Sequence, residues 1–180
     1  MSFSNHAAVA VAALAVLLVS APSAYAAGAC ASANASASTA TKHALVRATL
    51  CVLNAQRTRH NLRPLRLNRR LSDAAQRHSR AMARKRFFSH TSLSGASFVD
   101  RIRSAGYLSG ARSWAVGENI AYGSGSRSTP HSIGMAWMHS PPHRANILNS
   151  SYRAIGIGVA FGTPSGRRGG TYTTDFGRRS

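Results

Sequence analysis

Along this chain the hydrophobic period changes once, and the order of that change limits the folds open to it. Leu45, Val46, Thr49, Leu50, Val52 and Leu53 recur at helical spacing. Leu71, Ala74, Ala75, His78, Ala81 and Met82 do so again, with arginines largely on the opposite face. Asn61-Leu62-Arg63-Pro64 ends the first helix, and the second opens near Leu71 with Ser72 or Asp73 as its expected cap. Shorter helices are expected over Phe98 to Ala105, over Pro130 to His139, and from His143 to Leu148 after the Pro141-Pro142 break, while Val116 to Ala121 fits strand or turn. Ala154 to Phe161 then alternates small and large side chains, and Thr163 to Gly170 is a polar, glycine-rich turn. With Thr171 to Phe176 as a second strand, the end of the chain reads as an antiparallel hairpin. Helices first and a hairpin last is the order of an α+β layered domain, and 180 residues hold one such domain.

The N-terminal end reads differently. Residues 7–21 are a nearly uncharged apolar run, shorter than the roughly 20 residues that span a bilayer. Ala24-Tyr25-Ala26 follows as a small-x-small cleavage signal, although no Lys or Arg precedes the run. The expectation is a signal peptide over residues 1–26, cleavage between Ala26 and Ala27, no transmembrane anchor, and a secreted product. Residues 27–42 are an Ala/Ser-rich arm without large apolar residues, expected to be extended because nothing in it fills a core. The domain proper is residues 43–180. Cys30 and Cys51 are the only cysteines, and an even pair in an exported chain favours a disulfide. It would close a loop of about 20 residues and contribute about 3 kcal/mol. The alternative is that Cys51 is a small apolar residue of the first helix.

Charge bounds the partners. There are 23 Lys and Arg against 4 Asp and Glu, a formal net charge of +19, and none of these side chains precedes residue 27. Such a surface is drawn to polyanions, whether anionic envelope polymers, lipid headgroups or nucleic acid. An arginine-rich surface that is merely solvated is an equal reading. Arg57-Thr58-Arg59-His60, Arg66 to Arg70, Arg84-Lys85-Arg86 and Arg167-Arg168 could neutralise phosphates. No nucleic-acid motif and little aromatic interleaving accompany them, so specific nucleic-acid recognition is not expected.

Three places carry candidate chemistry: Ser89-His90 after a helix, Gly117-Glu118-Asn119 with the protein's single glutamate, and Ser140-Pro141-Pro142-His143 at a helix break. A buried carboxylate requires a partner, and a histidine or a metal would serve. Each place also has an ordinary explanation, a helix-capping histidine or a glutamate paired with one of many arginines. No His-Glu-x-x-His helix, Cys-x-x-Cys pair, Gly-x-Ser-x-Gly elbow or phosphate loop occurs.

Taken in order, Phe88-Ser89-His90-Thr91, Gly117-Glu118-Asn119-Ile120-Ala121, Trp137 to Leu148 and Tyr152 to Val159 resemble the motifs of the bacterial CAP (SCP, PR-1-like) domain. Leu53 to Arg57 is similar to its opening helix and Thr173 to Gly177 to its closing strand, so the resemblance covers about residues 45–177. It implies an α-β-α sandwich with helices on both faces of a small antiparallel sheet. It also implies a cleft where two histidines and usually two glutamates converge, with a divalent metal in some members. His90 matches the first histidine, Glu118 the first glutamate and His143 the second histidine. The second glutamate position is Ser140 here.

Two imidazoles and one carboxylate form a ligand set that zinc accepts with water in the fourth place. A metal held this way would be released as the histidines protonate near pH ~6.5. A hydrogen-bonded network holding the loops is the other reading of the same three residues. Family members generally share no demonstrated enzymatic activity, and several bind lipids, sterols or cell-surface ligands. The reading favoured is therefore a secreted, non-enzymatic binding or surface-interaction module. One alternative is a metal-dependent hydrolase acting on peptide or cell-wall material; another is non-specific polyanion binding through the arginines.

Overall fold

The computed structural model of the protein describes residues 30–180, so the expected signal peptide lies outside the described residues. In chain order come α1 (Lys42–Arg59), β1 (Arg66–Leu67), α2 (Arg69–Lys85), α3 (Phe98–Ser104) and β2 (Trp114–Gly123). A 3-10 turn (Gly125–Ser128) leads into α4 (Pro130–Met138) and α5 (Pro141–Ile147), and β3 (Ala154–Phe161) and β4 (Gly170–Arg179) follow. The four strands form one sheet in the order β1-β3-β4-β2. The pairs β2–β4 and β3–β4 are antiparallel. The two-residue β1 lies parallel to β3, so the sheet is mixed where an antiparallel one was expected.

Helices cover both faces, which gives the α+β sandwich. On one side Leu45 and Leu53 of α1, Ile133 and Trp137 of α4 and Ile147 of α5 pack on Ile155, Ile157, Val159, Tyr172 and Phe176. The small members of β3 face the other way. A Cβ on Gly156 or Gly158 would run into the backbone of Leu71 or Ala75, so α2 lies directly on the β3 backbone. Two side chains fix that contact: the Ser79 hydroxyl donates to the Gly158 carbonyl (3.0 Å), and the Gln76 amide brackets the Val159 N–H and C=O. The small/large alternation read as a strand is thus also the footprint of a helix at van der Waals distance.

Three details differ from the sequence reading. α2 begins at Arg69, two residues early, because Asn68 supplies the cap by accepting from Leu71 N–H. The N-terminal arm does reach the core: Ala33 and Ala37 are each 5% exposed, and Ala37 N–H donates to Ser128 Oγ. Small side chains let the arm come close where large ones would hold it off. The expected disulfide does form: Cys30 and Cys51 are joined, tying that arm to α1. Arg57 is fully buried, with Nη1 donating to the Ile147 and Asn149 carbonyls at the end of α5. It belongs to the fold and is removed from the polyanion-contacting arginines.

Candidate functional site

Strand β2 positions the glutamate. Its residues Val116, Glu118, Ile120 and Tyr122 share the face toward α2 and α3, and Glu118 pairs in register with Asp175 on β4. Both carboxylates are buried on the same face. The Glu118 side chain has no solvent exposure, and both of its oxygens are engaged: His90 Nδ1 donates to Oε1 at 2.8 Å and Arg101 Nη2 to Oε2 at 2.6 Å.

Arg101, on α3, is the hub. Its other amino group donates to the His90 carbonyl (2.9 Å), the Ser92 hydroxyl (3.1 Å) and the Ala96 carbonyl (3.1 Å), stitching the 90–96 loop to the glutamate. His78 of α2 adds a second anchor: Nε2–H donates to the Ser89 carbonyl at 2.9 Å. Burial is the main reason His78 titrates below its ordinary range, only partly offset by the nearby Glu118 charge. Asp175 has no hydrogen-bond donor on either oxygen. Burial first, then the Glu118 carboxylate, push its carboxyl well above the usual carboxylate range against the pull of Arg101.

The second histidine arrives from the other side of β2. Asn119 Nδ2 donates to the His143 carbonyl (3.0 Å), while Asn146 Nδ2 donates to Asn119 Oδ1 (2.8 Å) and to the Glu118 carbonyl (3.1 Å). This clamp explains Gly117, since a Cβ there would fall 2.6 Å from Asn146 Oδ1 and from the Tyr152 hydroxyl. Ser140 begins α5 without capping it; its hydroxyl lies 2.8 Å from His143 Nδ1 instead. Burial, then the charge of His90, lower the pKa of His143. His90 is 48% exposed and His143 half-buried, so the histidines form the rim and the carboxylates the floor. Beside the rim, exposed Phe88 and Tyr122 pack edge to face at 5.0 Å.

The structure thus joins His90 to Glu118 directly and ties His143 to the same strand through its backbone. Sequence reasoning missed Arg101, one arginine among many, and Asp175, whose place opposite Glu118 depends on strand register. Its signal was available in the scarcity of acids, because four acidic residues in all make any one inside an apolar strand conspicuous. As placed, these residues do not fit a divalent ion. A cation at Glu118 would have to displace a guanidinium, and among the described residues no three His, Cys, Asp or Glu side chains gather as a ligand set.

Comparison with known proteins settles the family. The profile described as "CAP: Cysteine-rich secretory protein family" matches residues 50–175. The chain belongs to the CAP family. Within it, the chain is 38% identical over 105 residues to the uncharacterized protein YkwD of Bacillus subtilis, covering 58% of this chain and 38% of that protein. It is similar in structure to an extracellular SCP-domain protein of Bacillus anthracis, with a TM-score of 0.61, 27% identity, 75% of this chain and 40% of that one covered. An outer surface protein of Borrelia burgdorferi shares the fold, at a TM-score of 0.57 and 22% identity over 71% of this chain and 87% of that one. The chain spans well under half the length of the first two relatives. Where the resemblance places a second glutamate this chain has Ser140, whose hydroxyl lies 2.8 Å from His143 Nδ1, and the carboxylate in register with Glu118 is Asp175 on β4.

Proposed function

We propose that this CAP domain works outside the cell as a binding module that holds a ligand at its cleft and does not turn it over. The saturation of Glu118 carries the reading. The carboxylate best placed to act as a base or ligand is occupied by Arg101 and His90, and Asp175 is sealed behind it. What remains open is a recognition surface: His90 and His143 as hydrogen-bonding groups, and the Phe88–Tyr122 pair as an apolar face. A polar head with a flat or apolar body fits that combination. The apolar run and cleavage signal at the N-terminus support export.

The test is sedimentation with bacterial envelope fragments, followed by mass spectrometry of the supernatant. The protein should co-sediment and release no fragments, and Phe88→Ala with Tyr122→Ala should reduce the bound fraction severalfold. Release of fragments that stops in Glu118→Gln would overturn the reading in favour of a hydrolase.

A further inference from the structure

A second surface lies at the hairpin end of the sheet, where β3 stops at Phe161 and β4 starts at Gly170. Phe161 is 54% exposed, and two shallow grooves of about 190 and 380 Å³ meet at its ring. Lys42, Arg80 and Arg84 line the first; Arg80 and Arg84 stand one helical turn apart on α2, about 6 Å by helix geometry. Arg167 and Arg168 line the second. The Arg86 guanidinium lies beside Gly166 of the same turn, 3.7 Å from where a Cβ on that glycine would stand. Among the described residues, none of these six cations forms a side-chain hydrogen bond or ion pair, in contrast to Arg57, Arg101 and Arg179, which are bonded to carbonyls. Among the described residues no carboxylate pairs with them. Glu118 and Asp175 are buried at the cleft, Asp100 is paired with Arg103 in α3, and Asp73 lies seven residues before Arg80 on α2, about 10 Å along the helix.

We propose that this end of the molecule is a binding site for a linear anionic glycan, with the cations on its acidic groups and Phe161 against a sugar ring. Concave grooves on both sides of the ring fit a chain that passes over it, whereas a flat membrane would touch only the rim. Cations alone would accept any polyanion, so the ring supplies the preference for a sugar backbone. The site is independent of the cleft: it uses none of His90, Glu118, His143, Phe88 or Tyr122.

The experiment is calorimetric titration of the protein at 0.15 M NaCl with a heparin octasaccharide, a polyphosphate of equal charge, and phosphatidylglycerol vesicles. The octasaccharide should bind about tenfold or more tightly than polyphosphate. Arg84→Ser, Arg167→Ser and Arg168→Ser together should weaken it tenfold or more and flatten its salt dependence. A control triple, Arg63→Ser, Arg66→Ser and Arg112→Ser, removes the same charge from exposed positions at the other end of the sheet and should change affinity by less than threefold. Phe161→Ala should abolish the preference for the glycan over polyphosphate. All seven positions are exposed, so folding is expected to survive and is checked by the unfolding midpoint. Equal losses in the two triples would overturn the site in favour of net charge alone. An unchanged preference in Phe161→Ala, or tighter binding to vesicles than to the glycan, would overturn the glycan.

Discussion

Arg101→Ala should be the most damaging single substitution at the cleft. Arg101 is 10% exposed at the side chain, its partner Glu118 is fully buried, and they meet at 2.6 Å. Removing one member of a buried ion pair leaves the other charge without compensation, at about 3–5 kcal/mol. The simple Coulomb value of about 4 kcal/mol for unit charges 4 Å apart at an effective dielectric of 20 has the same size. The three bonds to His90, Ser92 and Ala96 vanish too, but those acceptors can recover water and contribute less. A net loss of about 4 kcal/mol, at a urea slope of about 2 kcal/mol per molar, lowers the unfolding midpoint by about 2 M. Urea unfolding followed by far-UV circular dichroism measures it. Arg101→Lys keeps the charge but reaches either Glu118 or the loop, so it should recover only part of the loss while amide exchange at residues 90–96 stays fast. A loss below about 1 kcal/mol in Arg101→Ala would refute the ion pair as the keystone of the cleft.

Other consequences can be measured separately. Gly158→Ala places a methyl group against the Ala75 backbone and should destabilise the fold by about 3 kcal/mol, whereas Gly162→Ala, where the space is open but φ is +91°, tests backbone strain without a clash. Asp175→Asn removes a carboxyl whose folded-state pKa is raised. That carboxyl contributes stability below about pH 4, the unfolded value, which is lost as pH rises through the folded one. The Asn variant should therefore lack this decline and exceed the wild type at pH 8, and parallel stability curves from pH 4 to 8 would contradict it. Cys30→Ser with Cys51→Ser should lower stability by about 3 kcal/mol and speed amide exchange at Ala37.

How much of this was legible depends on where each residue's partner lies. Helical stripes, capping signals and the hairpin are local, so α1, α3 and the β3–β4 pair follow from spacing alone. Asn68 was overlooked as a cap because Ser72 and Asp73, equally good cap residues, stand just beyond it. Strand β2 was ambiguous in its apolar spacing because Gly117, Glu118 and Asn119 interrupt it, each for a non-local reason: Gly117 clears Asn146, Glu118 meets Arg101, and Asn119 holds His143. The order of His90, Glu118 and His143 pointed to one site. Their actual arrangement depends on Arg101 and on the Glu118–Asp175 register, and neither is written in local pattern. The same holds for Arg57, which reads as a surface charge until α5 is packed against it.

The account turns on Glu118 being held by Arg101 and His90. A calorimetric titration of the protein with zinc at pH 7.5, beside a His90→Ala, His143→Ala double variant, tests that most directly. The account predicts no saturable one-to-one binding in either form, because the carboxylate is already neutralised. Saturable one-to-one binding by the wild type, lost in the double variant, would contradict it and make the cleft a metal centre.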